Sequence, residues 1–111
     1  FDLSLELCTV GWNTYAAMAL PGSQLYKNAL EKNYKLPNSY EGYSFHSYET
    51  QPLPTKTLKP EEILEYRDKS FINYHTHKSF LNKIEIKFGK SALNNILDMT
   101  KIKLKRKILG D

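Results

Sequence analysis

Residues Trp12-Asn13-Thr14-Tyr15-Ala16-Ala17-Met18-Ala19-Leu20-Pro21-Gly22-Ser23-Gln24-Leu25-Tyr26 decide how this chain is read. Trp, Thr and Tyr followed by small apolar residues over positions 12–20 suit a strand buried on both faces. Pro21 stops a ladder there, because it has no N–H to donate. Gly22 permits a tight turn, and Ser23 is placed to cap a following helix with Leu25, Tyr26, Ala29 and Leu30 on its inner face and an end near Asn33. A lone strand has no partner, so its backbone groups need a sheet that these residues do not contain.

Upstream of that stretch, Leu3, Leu5 and Leu7 followed by Gly11 predict a helix remnant over residues 1–8. The chain opens at Phe1 inside this remnant, as expected of the tail of a longer polypeptide. At 111 residues it is long enough for one domain, but a single strand with aromatic-rich helices makes a thin core, and burial against a partner is expected. The unpaired strand predicts self-association of the isolated chain.

Downstream, positions 34–59 carry breakers at Leu36-Pro37-Asn38-Ser39, Glu41-Gly42 and Gln51-Pro52-Leu53-Pro54, and predict a long loop. Tyr40, Tyr43, Phe45 and Tyr48 lie in it, and such rings need something to bury against, so the loop is expected to be ordered over the surface of the missing barrel or of a neighbouring chain. Three helices should follow over residues 60–111. The first starts at Pro60 with Glu61 and Glu62 in its first turn, and its inner stripe is Ile63, Leu64, Arg67, Phe71 and Tyr74. The second runs from about Lys78 to Phe88 with Phe80, Leu81, Ile84 and Phe88 inside and Gly89 as terminator. The third starts at a Ser91 cap and places Leu93, Ile96, Leu97, Thr100, Leu104 and Ile108 on one side.

The net charge of +4 resides wholly in the last eleven residues, where Lys101, Lys103, Lys105, Arg106 and Lys107 stand against Asp111. A basic terminal helix can meet phosphates or an acidic surface, or can offset its own dipole at a solvated end. The basic residues are not interleaved with stacking aromatics, which disfavours a nucleic-acid platform. No apolar run reaches the length of a membrane span. Cys8 stands alone, so no internal disulfide or all-cysteine metal site can form, and cytoplasmic residence is the expectation.

His75 and His77 form a His-x-His between two helices, which on a helix would not share a face, and they read as surface or capping residues rather than metal ligands. His46 lies among Tyr43, Phe45 and Tyr48, where it is either a satisfied core histidine or a substrate contact or proton relay. Tyr43, His46 and Tyr48 are the substrate-side candidates; no catalytic side chain is assigned.

The run Ala17-Met18-Ala19-Leu20-Pro21-Gly22-Ser23-Gln24-Leu25-Tyr26, followed by Leu36-Pro37, the Tyr-rich stretch to Tyr48 and Leu53-Pro54-Thr55-Lys56, resembles the C-terminal part of radical S-adenosylmethionine enzymes. The closest subgroup is the one that usually carries an N-terminal cobalamin-binding domain. The resemblance implies a mainly α chain containing the last strand and helix of a partial (β/α) barrel (1–33), an aromatic-rich loop (34–59) and a C-terminal helical cap (60–111). It implies a parent Fe–S oxidoreductase or methyltransferase with a [4Fe-4S] cluster, S-adenosylmethionine and, in the subgroup's pattern, cobalamin. Met18, Ala19 and Leu20 would lie at the C-terminal end of the last strand beside the cofactor's adenine, where barrels of this kind place their sites. The family's Cys-x-x-x-Cys-x-x-Cys motif is not among these residues. The missing barrel of the same polypeptide would be the partner, and the chain alone would not perform the chemistry. From a different class, a non-catalytic helical module could dock its basic last helix on an acidic protein or nucleic acid.

Overall fold

A computed structural model describes residues 1–111, and its regular structure is entirely helical. Helix α1 covers Asp2–Leu7, α2 covers Gln24–Glu31, α3 covers Pro60–His75 and α4 covers Lys78–Thr100, with single 3-10 turns at Tyr40–Tyr43 and Lys107–Leu109. The mainly α expectation holds. The strand expected over residues 12–20 is absent: this segment has neither helix nor ladder. The physical reason is the one its sequence announces, since a strand exists only by pairing and nothing in the chain offers a ladder.

The chain divides into two compact units, each assembled from separate parts of the sequence. One comprises Phe1–Thr14 and Asp68–Lys103. Its core is Tyr74, Phe80 and Ile84, with Phe1, Leu5, Cys8, Trp12, Leu81, Ala92 and Ile96 packed around them. Trp12 stacks on Tyr74 at 6.2 Å and takes the Phe1 ring on its edge at 5.6 Å. The Tyr74 hydroxyl donates to the Thr9 carbonyl at 2.8 Å, which gives a buried phenol its polar partner. Cys8 closes α1 in the left-handed region at φ 45°, and the Lys83 ammonium donates to its carbonyl.

The other unit comprises Tyr15–Arg67 and Leu104–Asp111. Ala19, Ala29 and Leu53 are buried together, with Tyr26, Tyr34 and Leu36 against them. Helix α2 buries less of its expected inner face than its spacing suggests: Ala29 is buried and Tyr26 partly so, but Leu25 and Leu30 are exposed. Helix α3 contributes residues 60–67 to this unit and 68–75 to the other. Its start is fastened by Glu62, which accepts the Lys59 amide at 2.8 Å just before Pro60. Leu64, Arg67 and Tyr74 of its predicted stripe are buried, while Ile63 and Phe71 are half-buried.

Two expectations about the last third are corrected. Gly89 does interrupt helical geometry, at φ 84° and ψ 176°, but Phe88 beside it is exposed rather than inside. The third helix ends at Thr100, so Leu104 and Ile108 are not on it and there is no basic terminal helix. The stretch from Lys101 onward alternates Lys with Ile or Leu, a period of two that cannot keep an apolar stripe on a helix. It runs irregularly to Arg106, which is buried.

Candidate functional site

The turn that leaves the unpaired segment is built by main-chain and serine hydrogen bonds. The Leu20 amide donates to the Met18 carbonyl at 3.0 Å, and the Leu20 carbonyl accepts both the Ser23 amide at 3.1 Å and the Ser23 hydroxyl at 2.7 Å. Ser23 Oγ in turn accepts the Tyr26 amide at 3.1 Å and so caps α2, as its sequence predicts. Gly22 holds φ 88°, a conformation open to glycine. This geometry turns Ala19 inward, with its methyl in the core, and leaves Met18 half-buried and Leu20 exposed. From Ala16 to Ala19, the only backbone group bonded to a distant part of the chain is the Ala17 carbonyl, which accepts the Leu53 amide at 2.9 Å. The amide and carbonyl of Ala19 make no backbone hydrogen bond, and at 2 % exposure the residue is covered by its own unit.

The aromatic loop of the same unit buries Phe45 and leaves Tyr40 and Tyr48 exposed, and its three candidate residues meet different neighbours. His46 is exposed, with its ring edge-on to Tyr15 at 6.5 Å and to Phe45 at 5.3 Å. Tyr15 packs edge-on to Phe45 at 5.0 Å, which completes a three-ring group. His46 is therefore not a satisfied core histidine. Tyr48 is exposed and its hydroxyl donates to the Asp111 carbonyl at 3.0 Å. Tyr43 is half-buried; burial pushes its phenol above the ordinary range, and the neighbouring Tyr26 and Tyr40 add to the effect.

What sequence reasoning missed is the arginine floor beneath these rings. The Arg106 side chain is completely inaccessible, and its Nη1 donates to the Phe45 carbonyl at 2.6 Å, to the Ser47 carbonyl at 3.3 Å and to Thr50 Oγ1 at 3.4 Å. Its guanidinium lies 5.6 Å from the Phe45 ring centre, and that of the buried Arg67 lies 4.8 Å from it. Arg67 was placed on the inner stripe by helical spacing. Arg106 was hidden in a lysine-rich run that reads as a solvated end.

The loop is tied internally as well. Thr50 Oγ1 donates to the carbonyls of Ser44 at 2.5 Å and Ser47 at 2.8 Å, and the Gln51 amide donates to the Gly42 carbonyl at 3.0 Å. Lys107 donates to both carboxylate oxygens of Glu49, at 2.9 and 3.0 Å, and that hydrogen bond holds its ammonium above the ordinary lysine range. A groove of about 230 Å³ is lined here by Lys35, Pro37, Ser39, Glu49, Gln51 and Lys107, among others.

The two remaining histidines lie in the other unit, and neither is a bare surface residue. His77 caps α4 through Nδ1, which accepts the Ser79 amide at 3.4 Å. His75 is buried, with Nδ1–H donating to the Phe71 carbonyl at 2.8 Å and with Phe71, Tyr74 and Phe80 rings around it. The structure gathers no group of three or more His, Cys, Asp or Glu side chains able to hold a metal ion. No helix is long and apolar enough to cross a membrane. Comparison with protein-family models, with curated proteins and with solved structures finds no match to this chain.

Proposed function

We propose that this chain is the C-terminal part of a radical S-adenosylmethionine enzyme, where residues 12–23 complete a partial (β/α) barrel and the aromatic loop faces the substrate. The observation that carries the reading is the segment Ala16–Ala19: an apolar run, preceded by the strand-type residues Trp12, Thr14 and Tyr15, whose backbone is almost unpaired and which leads into a serine-capped helix through Pro21-Gly22. Backbone polar groups that are kept from water need a sheet edge or a ligand to take them up. On this reading the adenine contacts come from the main chain of Met18, Ala19 and Leu20, and Ala19, buried here, opens to the ligand only when the segment joins the barrel. Cys8 is a single thiol at the end of α1, so the ligands of an iron–sulfur cluster must come from elsewhere in the parent polypeptide. When bound there, the [4Fe-4S] cluster supplies the electron that cleaves S-adenosylmethionine to a carbon radical; the residues of this chain bind, orient and exclude water. His46 and Tyr15, held edge-on over Phe45, present rings toward a substrate.

The reading of a helical module with a basic last helix loses its main support, because the basic stretch is not helical, Arg106 is buried and Lys107 is paired with Glu49. The decisive experiment starts from the complete polypeptide that contains these residues. Its preceding barrel should contain Cys-x-x-x-Cys-x-x-Cys, and the protein reconstituted with iron and sulfide and reduced by dithionite should convert S-adenosylmethionine to 5′-deoxyadenosine. A complete polypeptide without that motif, or without that product, sinks the reading.

A further inference from the structure

We infer that Arg106 is the positioning residue for the substrate-facing rings: it fixes Phe45, and Phe45 in turn fixes His46 and Tyr15. The inference rests on the proposed function for the word substrate, but its physical content concerns this unit alone. A fully buried guanidinium is costly to desolvate, and it is retained here by carbonyl and hydroxyl acceptors at Phe45, Ser47 and Thr50, all in the loop that bears His46 and Tyr48. Its central carbon lies 5.6 Å from the centre of the Phe45 ring, and that ring meets Tyr15 and His46 at steep angles. The backbone around Arg106 makes the same connection from the other side. The Lys107 amide donates to the Tyr48 carbonyl at 2.9 Å, the Tyr48 hydroxyl reaches the Asp111 carbonyl, and the Arg106 amide donates to Asp111 Oδ2 at 3.0 Å. Residues 104–111 thus act as a strap that closes on the loop, with Arg106 as its pin. A lysine cannot take over this role, because a single ammonium on a flexible stem lacks the planar fork that spans several acceptors.

The test uses the chemical reactivity of His46. In Arg106→Gln and Arg106→Lys, diethylpyrocarbonate should modify His46 faster than in wild type, and backbone amides of residues 47–51 should exchange faster. The loss of a guanidinium that satisfies buried acceptors shifts the loop's opening equilibrium by roughly five- to hundredfold. His77, in the other unit, should react at the wild-type rate in both variants, and Lys105→Gln should change neither reading. Folded variants with unchanged His46 reactivity and loop exchange overturn the inference, as does an equal acceleration at His77, which would mark a merely global loss of stability. Should the variants fail to fold, wild-type exchange decides: the amides of Thr50, Gln51 and Lys107 should open together with one urea dependence, and a Lys107 amide that exchanges independently of the other two overturns it. The 5′-deoxyadenosine assay reports separately on the functional reading, so its failure leaves the labelling result intact.

Discussion

At the scale of single residues, the loop depends on Gly42, which the sequence marks only as a breaker. A Cβ on Gly42 would stand 2.3 Å from Pro37 Cβ and 2.9 Å from its Cγ, against a rigid ring rather than a flexible tip. Gly42→Ala should therefore destabilise the chain by about 1–3 kcal/mol through overpacking, despite alanine's better helical propensity, and urea denaturation would measure it. Two titrating residues of the same unit make a joint prediction. Burial raises the Tyr43 phenol, and the hydrogen-bonded Glu49 raises the Lys107 ammonium. Both folded values lie above the unfolded ones, so their stabilisation is complete below the ordinary values of about 10 and is lost as pH rises through the folded values. Melting temperature should fall above about pH 10, and the Tyr43→Phe, Lys107→Gln double variant should show a shallower alkaline fall than wild type. Equal slopes in the two proteins would remove these residues as the cause.

Among the elements, α4 tests whether its interruption is a property of backbone conformation or of packing. Gly89 adopts φ 84° and ψ 176°, a region almost closed to residues with a Cβ, yet a Cβ there would meet nothing within 4 Å. Gly110 also has open space and a positive φ, but with ψ 22° it lies in the left-handed region that other residues can enter. Gly89→Ala should therefore cost about 1–3 kcal/mol, more than Gly110→Ala at about 1 kcal/mol. If the two substitutions cost the same in chemical denaturation, the interruption is not conformational. A helix straightened through position 89 would show the same error as a rise in helical circular dichroism.

For the whole molecule, the backbone of Ala16–Ala19, most of whose polar groups make no bond within the chain, sets the expected behaviour of the isolated chain. Tyr15 and Leu20, within or beside it, and Leu25 and Leu30 on α2 are all exposed apolar side chains of one unit. Free backbone polarity next to exposed apolar surface favours strand addition from a second copy. Light scattering should show mass increasing with concentration from micromolar to millimolar, and a strict monomer across that range would mean that water satisfies the segment adequately.

Local chemistry was enough to determine much of this protein from its sequence: Ser23 as a cap, Pro60 and Glu62 at the start of α3, Gly89 as a break, and the buried positions Leu64, Arg67, Tyr74, Phe80 and Ile84. Caps, breakers and helical periodicity act within a few residues, so they are legible without the fold. The aromatic content of the loop was legible too, but not that Phe45 is buried while Tyr40 and Tyr48 stay exposed, nor which ring meets which. Only tertiary structure decided that residues 12–20 settle as irregular backbone instead of a strand, that the terminal stretch leaves the helix at Thr100, and that Arg106 is buried while its neighbours stay in water. A strand is defined by a partner, and a buried cation by acceptors on a loop some sixty residues away. Neither condition is written at the position where it takes effect.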